Sequence, residues 1–334
     1  MKILFTGGGT LGPVTPLLAV VDVWRKKDPS VEFVWVGTPH GPEGNLIKEA
    51  GIRFFDLPVA RLPRYMSLEW LTLPFKLVFA FYKAARIIKF QKPDLVGSAG
   101  GYTAIPIVLA AKLFRVPVWV HQQDVDLILT SKLTAPFANI VTLAWEQNRK
   151  GFSKNAVLVG NPVRPAVMHG SAQRAHDDLK LSKDKPVLLV FGGGTGAQWI
   201  NEMFAGLGKD LAEHANVIHL TGRNKMVEGL SEMHKDYHAI EFATDEMPDL
   251  LAAADVVVSR AGLATITELS ALSKATIMIP LPHSPQVANM NALGDAVVGR
   301  EEGDTSAQNM FETVTRLLGD SNRRNELGEK LHKK

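Results

Sequence analysis

Short apolar runs alternate with longer amphipathic stretches along nearly the whole chain, and glycine or proline separates most of the pairs. The runs predict strands at 2–6, 32–36, 53–55, 94–96, 116–120, 140–143 and 157–159, and again at 186–191, 217–220, 239–242, 255–258 and 275–279. They are continuous and rich in β-branched residues, so both faces of each strand must be covered. The stretches between them supply that cover as helices. The pattern predicts an α/β chain with doubly wound parallel sheets.

The pattern also repeats. Ile3-Leu4-Phe5-Thr6-Gly7-Gly8-Gly9-Thr10 is echoed 185 residues later by Leu188-Leu189-Val190-Phe191-Gly192-Gly193-Gly194-Thr195. Each copy is a strand that ends in a glycine loop and opens a helix. Two tandem Rossmann-like domains follow, 1–160 and 166–334, joined by a linker at 161–165 whose prolines, Pro162 and Pro165, stiffen it.

A length of 334 residues suits two such domains. The chain has no cysteine, which excludes a disulfide scaffold, a thiolate metal site and a cysteine nucleophile. Its net charge of +3 is not that of a polycation built for nucleic acid. The charge is uneven, however. Residues 1–160 hold 19 basic and 11 acidic residues, net +8, and the remainder hold 18 and 23, net −5. A basic first half points to an anionic partner such as a membrane surface. No secretory signal is expected, because only Ile3-Leu4-Phe5 separates Lys2 from the glycines. No run reaches the roughly 18 apolar residues of a spanning helix; the closest, 68–82, is interrupted by Glu69, Pro74 and Lys76.

Within that run and just beyond it, Arg61, Arg64, Lys76, Lys83, Arg86 and Lys89 interleave with Trp70, Leu71, Leu73, Phe75, Leu77, Phe79, Phe81 and Tyr82. This mixture describes a segment that lies in a membrane interface, with Pro74 breaking it near its start. A core helix with a solvated basic edge has the same pattern.

Gly7-x-Gly9-x-x-Gly12 matches the dinucleotide fingerprint, but the second strand runs into Val36-Gly37-Thr38-Pro39 with no acid to hold a ribose. Neither glycine loop continues into Lys-Ser or Lys-Thr, so neither is a phosphate loop of the nucleoside-triphosphatase kind. Each loop either brings main-chain amides to an anion or is a tight turn. In the second half, Ser259-Arg260-Ala261-Gly262 opens a helix with a bare N-terminus suited to a diphosphate. Glu268 lies one to two turns in. It either accepts the hydroxyls of a ribose or complements the helix dipole.

Taken in order, these motifs resemble the MurG-type glycosyltransferases. The resemblance is carried by Gly8-Gly9-Thr10-Leu11-Gly12-Pro13-Val14-Thr15-Pro16, Gly100-Gly101-Tyr102, His121-Gln122-Gln123-Asp124, Gly160-Asn161-Pro162-Val163-Arg164, Gly193-Gly194-Thr195-Gly196-Ala197, the run from Arg260 through Glu268, and Gln286 with Asn289 and Asn291-Ala292. It implies the GT-B architecture, with the active site in the cleft between the domains. It implies an inverting transfer of N-acetylglucosamine from UDP-N-acetylglucosamine to lipid I, giving lipid II for peptidoglycan synthesis, cell shape and cell division. The protein would work peripherally at the cytoplasmic membrane face, without a cofactor. The resemblance further implies that Thr10, Leu11 and Gly12 form the first substrate loop. Gly194, Thr195 and Arg164 would help bind the nucleotide, with Thr244 near uracil. Leu263, Ala264, Thr265, Ile266 and Thr267 would supply diphosphate contacts, Glu268 would hold the ribose, and Gln286 and Asn289 would read the sugar.

The chain departs from the family in four places. Pro13 stands where the family has a histidine, Asp124 where it has asparagine, and Val287 and Ala288 where glutamines are common. The last helix, which in the family crosses back to the first domain, is expected to be short. Proline cannot take a proton, so Asp124 is the candidate base; the other use of Asp124 is to cap a helix beginning after Asp126. Asp124-Val125-Asp126 also matches a cation-binding Asp-x-Asp, but helix N-termini already serve a diphosphate and no metal is expected. Two rival functions share the architecture: a UDP-N-acetylglucosamine 2-epimerase, and a weakened nucleotide-sugar-binding protein.

Overall fold

The computed structural model describes residues 1–59, 69–152, 156–193, 196–227 and 229–334. The chain divides into two compact units, Met1–Pro162 and Val163–Lys334.

The first unit is a seven-stranded sheet in the order β3-β2-β1-β4-β5-β6-β7, with every pair parallel. The strands are β1 (Lys2–Thr6), β2 (Glu32–Gly37), β3 (Arg53–Asp56), β4 (Leu95–Ser98), β5 (Val118–Gln122), β6 (Ile140–Leu143) and β7 (Ala156–Leu158). The helices are α1 (Thr15–Lys27), α2 (Glu43–Glu49), α3 (Glu69–Gln91), α4 (Ala104–Leu113) and α5 (Leu129–Thr134). Alternate residues of each inner strand feed different cores. Ile3, Phe5, Phe33 and Trp35 pack with Leu17 and Val21 of α1. Leu4, Val34, Val36 and Val96 pack with Ala84 and Ile88 of α3 and Ile107 of α4. That two-sided burial is why the strands read as unbroken apolar runs.

The second unit repeats the winding in six parallel strands, β10-β9-β8-β11-β12-β13. They are β8 (Val187–Phe191), β9 (Asn216–Leu220), β10 (Tyr237–Ile240), β11 (Val256–Ser259), β12 (Ala275–Met278) and β13 (Val298–Gly299). Its helices are α6 (Ala172–Leu179), α7 (Gln198–His214), α8 (Met247–Ala253), α9 (Leu263–Ala271), α10 (Pro285–Leu293), α11 (Ala307–Gly319) and α12 (Ser321–His332). The helix α12 packs against α9, α11 and β12 of its own unit.

The structure corrects three details. Pro74 does not break the basic stretch: α3 runs through it. The proline lies in the second turn, so the helix forgoes one hydrogen bond rather than its continuity. The strand β10 begins two residues earlier than its apolar pattern suggests, because Tyr237 pairs with Val217 and buries its ring. The two-residue β13 is too short to leave a pattern.

Tyr237 also belongs to a buried polar cluster. The His219 ring contacts Tyr237 Oη at 2.6 Å through Nδ1 and Asn201 Oδ1 at 3.2 Å through Nε2. Asn201 Nδ2 in turn donates to the Thr221 carbonyl. The carboxamide oxygen only accepts, so His219 is the neutral Nε2–H tautomer and Tyr237 donates to Nδ1. Burial lowers His219 from 6.5 to about 4 and raises the Tyr237 hydroxyl. The unfolded chain therefore binds a proton at His219 that the folded chain refuses between pH 6.5 and about 4. Stability should fall as pH is lowered through that window, by roughly 3 kcal/mol from this group. Urea midpoints measured against pH should show a shallower slope for His219→Gln than for the wild type.

Candidate functional site

In both sheets the winding reverses beside the first strand, between β1 and β4 and between β8 and β11. Ligands of open parallel sheets bind at such switch points, beyond the carboxyl ends of the strands. The motif loops after β1, β4 and β11 lie there, as does the start of the one after β8.

In the first unit the loops after β1 and β4 touch main chain to main chain. A Cβ on Gly101 would stand 2.9 Å from Gly8 N and 3.0 Å from Gly8 O, and Gly101 has φ +88°. Only glycine meets both conditions. The Tyr102 ring lies against Gly9. Beneath the loops, Thr6 Oγ1 donates to Thr103 Oγ1 at 2.9 Å. Thr10 and Gly12 are exposed, and Leu11 and Pro13 half-buried.

The loop after β5 is stitched by side-chain amides. Gln122 Nε2 donates to the carbonyls of Asp124 (2.7 Å) and Asp126 (2.8 Å). Gln123 Nε2 reaches the Ala99 carbonyl, and Asn148 Nδ2 the Asp124 carbonyl. Asp124 is thus held at its main chain, half-buried at the carboxyl end of the sheet. The next helix, α5, begins at Leu129 with Ile128 at its N-cap position.

His121 is buried and bonded on both nitrogens, to Thr142 Oγ1 at 2.9 Å and Asn161 Oδ1 at 3.0 Å. Trp119 Nε1 donates to the same Thr142 hydroxyl. That hydroxyl therefore donates to His121 Nδ1, and His121 Nε2–H donates to Asn161. Burial holds the ring below the ordinary imidazole range, hence neutral.

In the second unit α9 begins behind Gly262 with no side-chain cap, so its first-turn amides await an acceptor. Leu263 and Ile266 are buried; Ala264, Thr265 and Thr267 are half-exposed. Glu268 is nearly buried, and its Oε1 accepts from Arg164 Nε at 2.7 Å. The structure thus brings Arg164 and Glu268 together across 104 residues of sequence. Arg260 closes the floor of the loop, donating to the carbonyls of Ile279 and Pro280 and pairing with Glu302.

Asn289 is fully buried, and its Nδ2 donates to the Ala261 carbonyl, tying α10 to the loop before α9. Gln286 Oε1 accepts from Leu281 N at 2.9 Å. Thr244 is half-buried in the loop after β10. Gly194, Thr195, Arg61 and Arg64, with the side chains of Trp70, Leu71 and Leu73, lie outside the described residues.

A residue that the motifs did not reveal is Glu43. It is fully buried under the first glycine loop and accepts from the amides of Gly9 and Thr38. No acid ends β2, but Glu43, six residues beyond it, brings its carboxylate back to that place. A Gly37-Thr38 turn followed within a few residues by an acid was the available signal.

Comparison with known proteins agrees with this geometry. The chain matches the glycosyltransferase family 28 N-terminal domain over residues 3–143 and the family 28 C-terminal domain over residues 187–334. Its fold resembles the crystal structure of Acinetobacter baumannii MurG, with TM-score 0.73, 24% identity and coverage of 99% of this chain and 94% of that one. A UDP-GlcNAc 2-epimerase from Neisseria meningitidis shares the fold at TM-score 0.66 and 17% identity, covering 99% and 94%. Two Rossmann-like domains with these matches define a GT-B glycosyltransferase.

A UDP-N-acetylglucosamine–N-acetylmuramyl-(pentapeptide) pyrophosphoryl-undecaprenol N-acetylglucosamine transferase of Clostridium botulinum is 35% identical, covering 90% of this chain and 86% of that protein. The protein so named in Clostridium perfringens is 34% identical at the same coverage. The chain belongs to this MurG-type family.

Proposed function

We propose that the protein transfers N-acetylglucosamine from UDP-N-acetylglucosamine to the acceptor hydroxyl of lipid I, with inversion, giving lipid II. The observation that carries this reading is the uncapped start of α9 beside the Arg164–Glu268 pair, in a chain whose 34–37% identical relatives bear that transferase name. The helix start stabilises the departing diphosphate. Arg164 fixes one oxygen of Glu268 and so orients the carboxylate toward the ribose. The 2-epimerases resemble the chain in fold at 13–17% identity, below the 34–37% of the relatives that bear the transferase name.

The acceptor side needs a base. Asp124 serves, from a loop that three amide side chains hold in place. The deciding assay is incubation with UDP-N-acetylglucosamine and a lipid I analogue in detergent, with chelator present. Transfer product is expected. Donor binding without product would instead indicate a nucleotide-sugar-binding protein, and conversion of donor to its 2-epimer an isomerase.

The first unit meets the anionic cytoplasmic leaflet through α3. Residues 74–79 are exposed all around the helix although Phe75, Leu77, Val78 and Phe79 are apolar; Phe75 is 78% and Val78 70% exposed. Ala80, Ala84 and Ile88 anchor the remainder to the core. Lys83 lies 5.3 Å from the Phe79 ring and Arg86 5.7 Å from Phe90, so the cations line the apolar face. Among the described residues no helix is long and apolar enough to cross a membrane. An apolar helix end with a basic flank suits peripheral insertion, with each cation contributing about 1 kcal/mol near anionic lipid.

Three outcomes are expected. Glu268→Ala should weaken uridine diphosphate binding about 10- to 150-fold by calorimetry, the worth of a charge-assisted pair of hydrogen bonds, while the protein stays folded. Asp124→Asn should lower kcat by about 10²- to 10⁴-fold with unchanged melting temperature and donor affinity; near-normal turnover would reject Asp124 as base. Replacing Lys76, Lys83 and Arg86 by Glu should abolish sedimentation with anionic vesicles and spare donor binding, and high salt should weaken the wild type likewise.

A further inference from the structure

Glu43 is a buried carboxylate whose surroundings are built to receive it. Its Oε1 accepts from Thr38 N at 2.7 Å and Thr38 Oγ1 at 2.6 Å. Gly9 N donates to both oxygens, at 3.3 and 3.2 Å. Three glycines from three segments make its room. A Cβ on Gly8 would lie 2.0 Å from Oε1, one on Gly37 3.0 Å from Oε1, and one on Gly41 2.0 Å from Oε2. Removing any of that space displaces the carboxylate or the loop above it.

The carboxylate occupies the place where a Rossmann loop usually presents amides to a ligand phosphate. Here the Gly9 amide already has an internal anion. Gly9 is the residue on which the Tyr102 ring rests, and Thr10, Leu11 and Gly12 follow it directly. The bond therefore sets the point from which the exposed part of the loop departs. A carboxylate bonded by main-chain amides holds them more tightly than a neutral acceptor, because charge assistance roughly doubles such bonds.

We propose that Glu43 is a positioning residue for the transfer reaction: its carboxylate, seated among Gly8, Gly37 and Gly41, presets the 7–12 loop for the acceptor. This rests on the transferase reading above. The donor is held by the second unit, so the effect of Glu43 falls on turnover and not on donor affinity. A misplacement of about 1 Å in such a loop costs on the order of 10²-fold in rate.

The test compares Glu43→Ala, Glu43→Gln and Gly41→Ala with the wild type. The Gly41 change touches no residue of the 7–12 loop; it acts by pushing the Glu43 carboxylate and the Thr38 hydroxyl bonded to it. Glu43→Ala and Gly41→Ala should each lower kcat by about 10- to 100-fold, with the KM for UDP-N-acetylglucosamine and the Kd for uridine diphosphate within twofold of wild type. Glu43→Gln keeps an oxygen for Thr38 and should recover part of the loss. Hydrogen exchange should quicken at residues 8–11 in Glu43→Ala while β1 and β5 stay protected. Exchange is read without turnover, so it tests loop positioning even in an inactive protein; absence of wild-type transfer would overturn the transferase reading and with it the role in transfer. Wild-type transfer with undiminished Glu43→Ala turnover would overturn the proposal. So would unchanged exchange in the loop, or a donor KM that rises in step with the loss of kcat.

Discussion

The main-chain contact between Gly8 and Gly101 sets how the first unit can present chemistry. With amide and carbonyl of one loop 2.9–3.0 Å from where the other would carry a Cβ, neither loop has room for a side chain at the contact. Side chains reach it from outside: Glu43 bonds the Gly9 amide and the Tyr102 ring lies against Gly9. The two-sided burial of the parallel strands forces this arrangement, since it reserves the strand interiors for apolar residues and leaves polar groups only the strand ends.

The second unit meets the same topology differently. Its loop after β11 is braced by side chains, with Arg260 on the carbonyls of Ile279 and Pro280 and Asn289 on the carbonyl of Ala261. Bracing from behind leaves the start of α9 without a side-chain cap. The glycine loop after β1 thus encloses an internal carboxylate, whereas the loop after β11 is braced by an arginine and an asparagine amide.

The winding, the repeat and the glycine loops were legible in the sequence because each rests on local periodicity or a short motif. What was not legible depended on distance or on competition. Glu43 meets Gly9 across 34 residues and Arg164 meets Glu268 across 104, and no spacing rule reaches so far. Pro74 read as a break because its local cost is certain, whereas the continuity of a 23-residue helix is cooperative. The edge strand β13 contributes only two residues to the ladder, too few for periodicity to register. Asn289 stood in a segment read as sugar-contacting; that its amide also reaches the main chain before α9 had no sequence signal.

His121 shows why a polar residue within a family motif need not be a proton acceptor. A base needs a lone pair facing its substrate. In the chain Trp119–Thr142–His121–Asn161, the donor at one end and the carboxamide oxygen at the other fix every proton between them. The one imidazole lone pair accepts from Thr142, and the remaining N–H is spent on Asn161. Burial further opposes the charge that proton uptake would create. The ring instead fastens the Gly160-Asn161-Pro162 segment to the edge of the first sheet through β5 and β6. With His121 committed to that task and proline at position 13, neither position offers a lone pair for proton transfer. Among the acids beyond the carboxyl ends of these strands, Glu43 is fully buried and bonded to two amides, Asp126 is exposed, and Glu146 is exposed and paired with Arg149. Asp124 is half-buried, and its carbonyl is held by the amides of Gln122 and Asn148.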